Sequence, residues 1–174
     1  MRDYSWAGVI LGVVLFGALL SAEPTQRCQP SDLPSNIVMP DMLQRALQKI
    51  YDRSPTFRAQ CERLAQAPDL RVTVRLNNAI PSGCRAFTII RRQGNEIRAE
   101  VHLPPGRGLV ELAAHEFEHL IEQVEGLNLR SLARTRGTGV YEVYREAFES
   151  DRAIRAGRVV LGEIWRGSES PAAD

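Results

Sequence analysis

An α+β fold is predicted by three observations: helical periodicity over residues 41–64, period-two alternation in the runs that follow it, and a return to helical periodicity from Leu109. The expected plan is an N-terminal helix, a sheet of at least three strands, a helix packed on that sheet, and a second long helix crossing near the C-terminus.

Each element has its own signals. Arg2 precedes an apolar run from Trp6 to Leu20, too short for a comfortable membrane span and followed by Ser21-Ala22, so residues 1–22 read as a signal peptide. The alternative is an uncleaved N-terminal anchor. Either reading places the protein outside the cytoplasm, exported and periplasmic or extracellular, with membrane contact only if the segment is retained. Residues 23–40 carry Pro24, Pro30, Pro34 and Pro40 and read as an irregular lead-in. Asp41 is placed to cap a helix in which Leu43, Leu47 and Ile50 recur. After a break at Ser54-Pro55, Phe57, Cys61 and Leu64 continue the pattern, as one helix or a pair. Val72, Val74 and Leu76 alternate with Arg71, Thr73 and Arg75 as a half-buried strand. A second strand is expected over about 85–92, a turn at Gly94-Asn95, and a third strand with Ile97, Ala99, Val101 and Leu103 on one face. A single domain over residues 41–165 is expected, with 166–174 as a disordered polar tail.

The chemistry is concentrated in His115-Glu116-Phe117-Glu118-His119, inside a helix expected from Leu109 to Glu125. Histidines four residues apart project from one face of a helix, one turn apart, and can reach a single metal ion. Glu116 falls between them and the apolar stripe of Leu109, Ala113, Phe117, Leu120, Ile121 and Val124. From there it can act as a general base on water without taking a coordination position. Glu111, Glu118, Glu122 and Glu125 lie on the opposite flank and are expected to face solvent. Zinc is the ion this pattern suits, and a third protein ligand is needed. Glycine and histidine three and six residues after His119 would supply it in metzincins; Glu122 and Glu125 stand there instead, which excludes that class. Glu122 cannot converge on the same ion from the same helix, so the third ligand comes from elsewhere. A second long helix is expected from about Val140 to Val160, carrying Glu142, Glu146, Glu149 and Asp151.

With these residues in view, the chain resembles the gluzincin metallopeptidases, in which a downstream glutamate completes an H-E-x-x-H site. It is similar in particular to small exported bacterial proteins of unassigned function with a His-Glu-Phe-Glu-His-x-x-Glu-Gln segment, then Phe-Glu-Ser/Thr-x-Arg-Ala and Ala-Gly-Arg. Those pieces are here His115–Gln123, Phe148–Ala153 and Ala156–Arg158. The likeness covers the C-terminal half and, loosely, the strand before the motif. It implies Glu149 as the third ligand, on the C-terminal helix of a minimal gluzincin plan. The helical wheel alone leaves Glu146 open as an alternative. Better-known gluzincins place an aspartate four residues after the ligand glutamate, whereas Asp151 follows Glu149 by two. Asp151 is expected to hydrogen-bond a ligand histidine or an arginine rather than the metal.

The activity implied is zinc-dependent hydrolysis of a peptide or protein substrate, with Glu116 as base and Tyr141, Tyr144 or His102 as candidate second donors to the carbonyl oxygen. The alternative is a non-catalytic zinc-binding or interaction domain of the cell envelope. A formal net charge of +1 gives no field that would argue for nucleic acid as a partner. Three cysteines in an exported chain suggest one disulfide and a spare thiol; three pairings are open, of which Cys61–Cys84, leaving Cys28, is the one favoured and would stabilise by about 3 kcal/mol, and the competing reading is three buried apolar thiols.

Overall fold

The computed structural model describes residues 32–144 and 146–168 of the chain. The segment expected to be a signal peptide, Cys28 and residues 169–174 lie outside the described residues. Among those described, no helix is long and apolar enough to cross a membrane.

The architecture is α+β. In chain order the elements are β1 (Ile37–Val38), α1 (Asp41–Arg53), α2 (Pro55–Ala65), β2 (Leu70–Leu76), β3 (Phe87–Gln93), β4 (Glu96–Leu103), α3 (Leu109–Val124), the single turn α4 (Leu129–Leu132), β5 (Val140–Tyr144), β6 (Ala147–Ser150) and α5 (Asp151–Ser168). A four-stranded sheet runs in the order β1-β2-β4-β3, and β5 with β6 forms a separate hairpin.

The N-terminal helical stretch is two helices because Pro55 cannot continue α1. Ser54 caps the second helix instead, accepting from the Phe57 N–H at 3.0 Å. Asp41 is the first residue of α1 and not its cap; Pro40 holds that position and no side chain caps it. The lead-in is less irregular than expected, since Ile37 and Val38 pair in parallel with Val72 and Thr73.

β2 and β4 are parallel, with α1 and α2 preceding β2 and β3 intervening before β4; β3 then pairs antiparallel with β4. The turn at Gly94-Asn95 has φ +60 at Gly94, as a hairpin turn of type II′ demands at its first position. One sheet face is apolar: Val72 and Val74 of β2 and Ala99, Val101 and Leu103 of β4 are all 3% exposed or less. Against it lie the helices, with Phe57 of α2 stacked on Phe117 of α3, ring centroids 5.2 Å apart. Such a pair contributes about 1 kcal/mol beyond its burial. It also fixes the rotation of α3 about its axis, which decides where the histidines point.

Three expectations are corrected here. The long helix from Val140 does not form: residues 140–150 are the β5–β6 hairpin, and α5 starts only at Asp151. Val140, Tyr141, Val143 and Tyr144 are strand formers, and Ser150 starts the helix by accepting from the Ala153 N–H at 3.0 Å. Helix α5 then runs through Ser168, past the point where a disordered tail is expected. Finally, Cys61 and Cys84 are free thiols; Cys61 is buried in the core and Cys84 is exposed, so they form no bridge.

Candidate metal centre

Helix α3 is divided by burial. Ala113, Phe117, Leu120 and Ile121 are in the core, while His115, Glu116 and His119 face a cleft of about 960 Å³ bounded by β3, the β5–β6 hairpin and α5. Register on β3 explains the other wall. Thr88 is opposite Val101 and so shares the apolar face of the sheet, from which its hydroxyl reaches Glu116 and donates to Oε2 at 2.6 Å.

The third corner comes from β6. Glu149 places Oε2 at 3.2 Å from His115 Nε2 and Oε1 at 3.3 Å from His119 Nε2. One donor atom from each of the three residues lies within 4.8 Å of the others, and the group could hold a metal ion. Glu149 is therefore a strand residue one position before the Ser150 cap, not a residue of the C-terminal helix. Its alternative, Glu146, stands at the hairpin turn with φ 59, largely exposed and paired with Arg130 at 2.6 Å, and is not part of the His115–His119–Glu149 group.

Glu122 is one of two glutamates that the helical wheel places in solvent and the fold buries. Expected in solvent, it is 1% exposed. It bonds His119 Nδ1 through Oε2 at 2.8 Å and accepts from Ser150 Oγ through Oε1 at 2.6 Å. A carboxylate on Nδ1 orients the imidazole and leaves Nε2 turned to the cleft, the arrangement usual for a ligating histidine. Glu118, also expected in solvent, is buried and accepts from Gln60 Nε2 and Arg152 Nε, each at 2.6 Å. Only Glu111 and Glu125 of the four glutamates keep substantial exposure, and both are paired with arginines.

The electrostatics favour positive charge between these groups. Burial alone would lower the pKa of His119, but its hydrogen bonds to Glu122 and Glu149 and the nearby charge of Glu116 raise it to about 10. Burial alone would raise that of Glu149, yet the hydrogen bonds from His115 and His119 hold it down to about 2. A site that prefers a cation this strongly is suited to a metal, whose binding would displace a proton from His119. Glu116 differs. Burial dominates and raises its pKa, reinforced by the charge of Glu149, against the Thr88 hydrogen bond and the two histidines.

The remaining candidates divide. His102 is not at the site: it pairs with Phe87 on the opposite face of the sheet, stacks on that ring at 4.4 Å between centroids, and contacts Asn77 through Nδ1. Asp151 is an exposed first residue of α5, and the role of bonding a ligand histidine belongs to Glu122. Tyr141 is the cross-strand partner of Glu149 but does not line the cleft, and the side chain of Tyr144 lies outside what is described. Comparison of the chain with protein-family models, curated proteins and solved structures finds no match.

Proposed function

We propose that the protein is a zinc-dependent peptidase of the gluzincin type, in which His115, His119 and Glu149 hold the ion and Glu116 is the general base. The observation that carries this reading is a free carboxylate in the right place. Glu116 is 4% exposed, faces the same cleft as the three donors and is held by Thr88, while taking no part in the His-His-Glu group. A zinc site with a purely structural task has no use for it.

Zinc bound there would polarise the substrate carbonyl and acidify a water molecule. The chain's own residues supply the rest. Glu116 takes a proton from the attacking water and returns it to the leaving amine, a task for which burial suits it by raising its pKa from the carboxylate range. Thr88 holds that carboxylate in one orientation, and Glu122 with Ser150 fixes the His119 ring. The cleft is roomy enough for several residues of an extended peptide beside the motif helix.

The reading is tested by incubating the zinc-loaded protein with a quenched peptide library, beside Glu116→Gln. The expected result is cleavage by the wild type and a loss of at least about 100-fold in Glu116→Gln with zinc retained. Stoichiometric zinc without cleavage of any peptide would favour the non-catalytic zinc-binding domain instead.

A further inference from the structure

Ala156-Gly157-Arg158 lies where α5 crosses α3. Gly157 is buried, and a β-carbon there would meet the Glu111 carbonyl oxygen at 2.7 Å and His115 Cβ at 3.4 Å. Only glycine lets the two backbones come this close, and Arg158, the next residue, lines the cleft that also holds the first histidine.

Four arginines line that cleft, and three are engaged. Arg85 forks onto both oxygens of Glu111, Arg130 pairs with Glu146, and Arg92 donates to the Gln123 carbonyl. Among the described residues Arg158 has no hydrogen bond and no ion pair; its charge acts on Glu111 and Tyr141. The lining glutamates, Glu111, Glu116, Glu146 and Glu149, balance the four arginines, so a divalent ion leaves the cleft net positive. An exposed guanidinium with all its donors free, on the wall of the cleft that holds the candidate metal group, is matched in geometry and charge by a carboxylate.

We propose that Arg158 binds a carboxylate of the substrate, so that the cleft takes peptides bearing a negative charge near the scissile bond. The carboxylate is either the peptide's C-terminus or an acidic side chain. The proposal rests on the peptidase reading for the identity of its ligand, but its test does not need turnover.

The test is calorimetric titration of the zinc-loaded full chain carrying Glu116→Gln. Three peptides of one neutral sequence are used: free at the C-terminus, amidated, and amidated with one glutamate added. Either or both carboxylate peptides should bind about tenfold more tightly than the neutral amide, and which of them does so identifies the source. The preference should fall to within about twofold once Arg158→Ala is added, and return in part with Arg158→Lys. Equal binding of all three peptides, binding of none, or a preference that survives Arg158→Ala would overturn the assignment. A carboxylate preference without cleavage by the wild type would leave Arg158 assigned and remove the peptidase reading; cleavage without the preference would do the reverse.

Discussion

Glu118 and Glu122 sit one turn apart on the same helix, are both buried, and are both hydrogen-bonded twice, yet they serve different parts of the molecule. Glu118 is held by Gln60 of α2 and Arg152 of α5, and so ties three helices together on the side away from the cleft. Glu122 is held by His119 and by Ser150, the residue after Glu149. Two carboxylates of equal chemistry thus acquire a folding role and a site role from their partners alone. Burying either would be costly without those partners, since an ionised group in the interior must be paired.

The difference predicts opposite phenotypes. The larger effect on folding is expected from Glu118→Ala, which leaves Gln60 and the half-buried Arg152 short of a partner. Denaturant unfolding should show a loss of about 2 kcal/mol, with metal affinity unchanged. Glu122→Gln should invert that pattern. Zinc affinity measured by chelator competition should fall about 10- to 100-fold, because the His119 ring loses the carboxylate that orients it. A Glu122→Gln protein with wild-type zinc affinity would show that Ser150 and Glu122 merely fasten β6 to α3.

A third carboxylate gives a smaller, purely structural contrast. Glu163 of α5 accepts from Ser54, from the Thr56 hydroxyl at 2.7 Å and from the Thr56 N–H at 3.2 Å, fastening α5 to the start of α2. Burial alone would raise its pKa, but these hydrogen bonds hold it below the ordinary 4.5. A carboxylate with a lowered folded-state pKa stabilises above its unfolded value and loses that contribution as the pH falls through the folded one. Stability should therefore decline below about pH 4.5 through this contact, and Glu163→Ala, costing about 1 kcal/mol at pH 7, should show a shallower decline over the same range.

What was legible in the sequence follows the range of the interactions. The motif helix, its two histidines and Glu116 were readable because helical spacing is local, and the strands of residues 71–103 because alternation is local. The β5–β6 hairpin was not. The helix expected from Val140 competes with the strand propensity of Val140, Tyr141, Val143 and Tyr144, and helical structure begins only at Asp151. The Ser150-Asp151 helix start was the signal that would have placed Glu149 on a strand. Glu122 and Glu118 were unreadable for a different reason. His119 is only three residues from Glu122, but the donors that bury the two carboxylates, Ser150 and Gln60, lie 28 and 58 residues away, and nothing in a wheel shows that a glutamate has a distant donor waiting.

The central claim is that His115, His119 and Glu149 hold one zinc ion, with Glu116 beside it and outside it. It is tested most directly by elemental analysis of the purified, zinc-supplemented protein beside Glu149→Ala, Glu146→Ala and Glu116→Gln. The account predicts one zinc per chain in the wild type, retained in Glu146→Ala and Glu116→Gln and lost from Glu149→Ala. Zinc that stays in Glu149→Ala, or is found in no form of the protein, would contradict it.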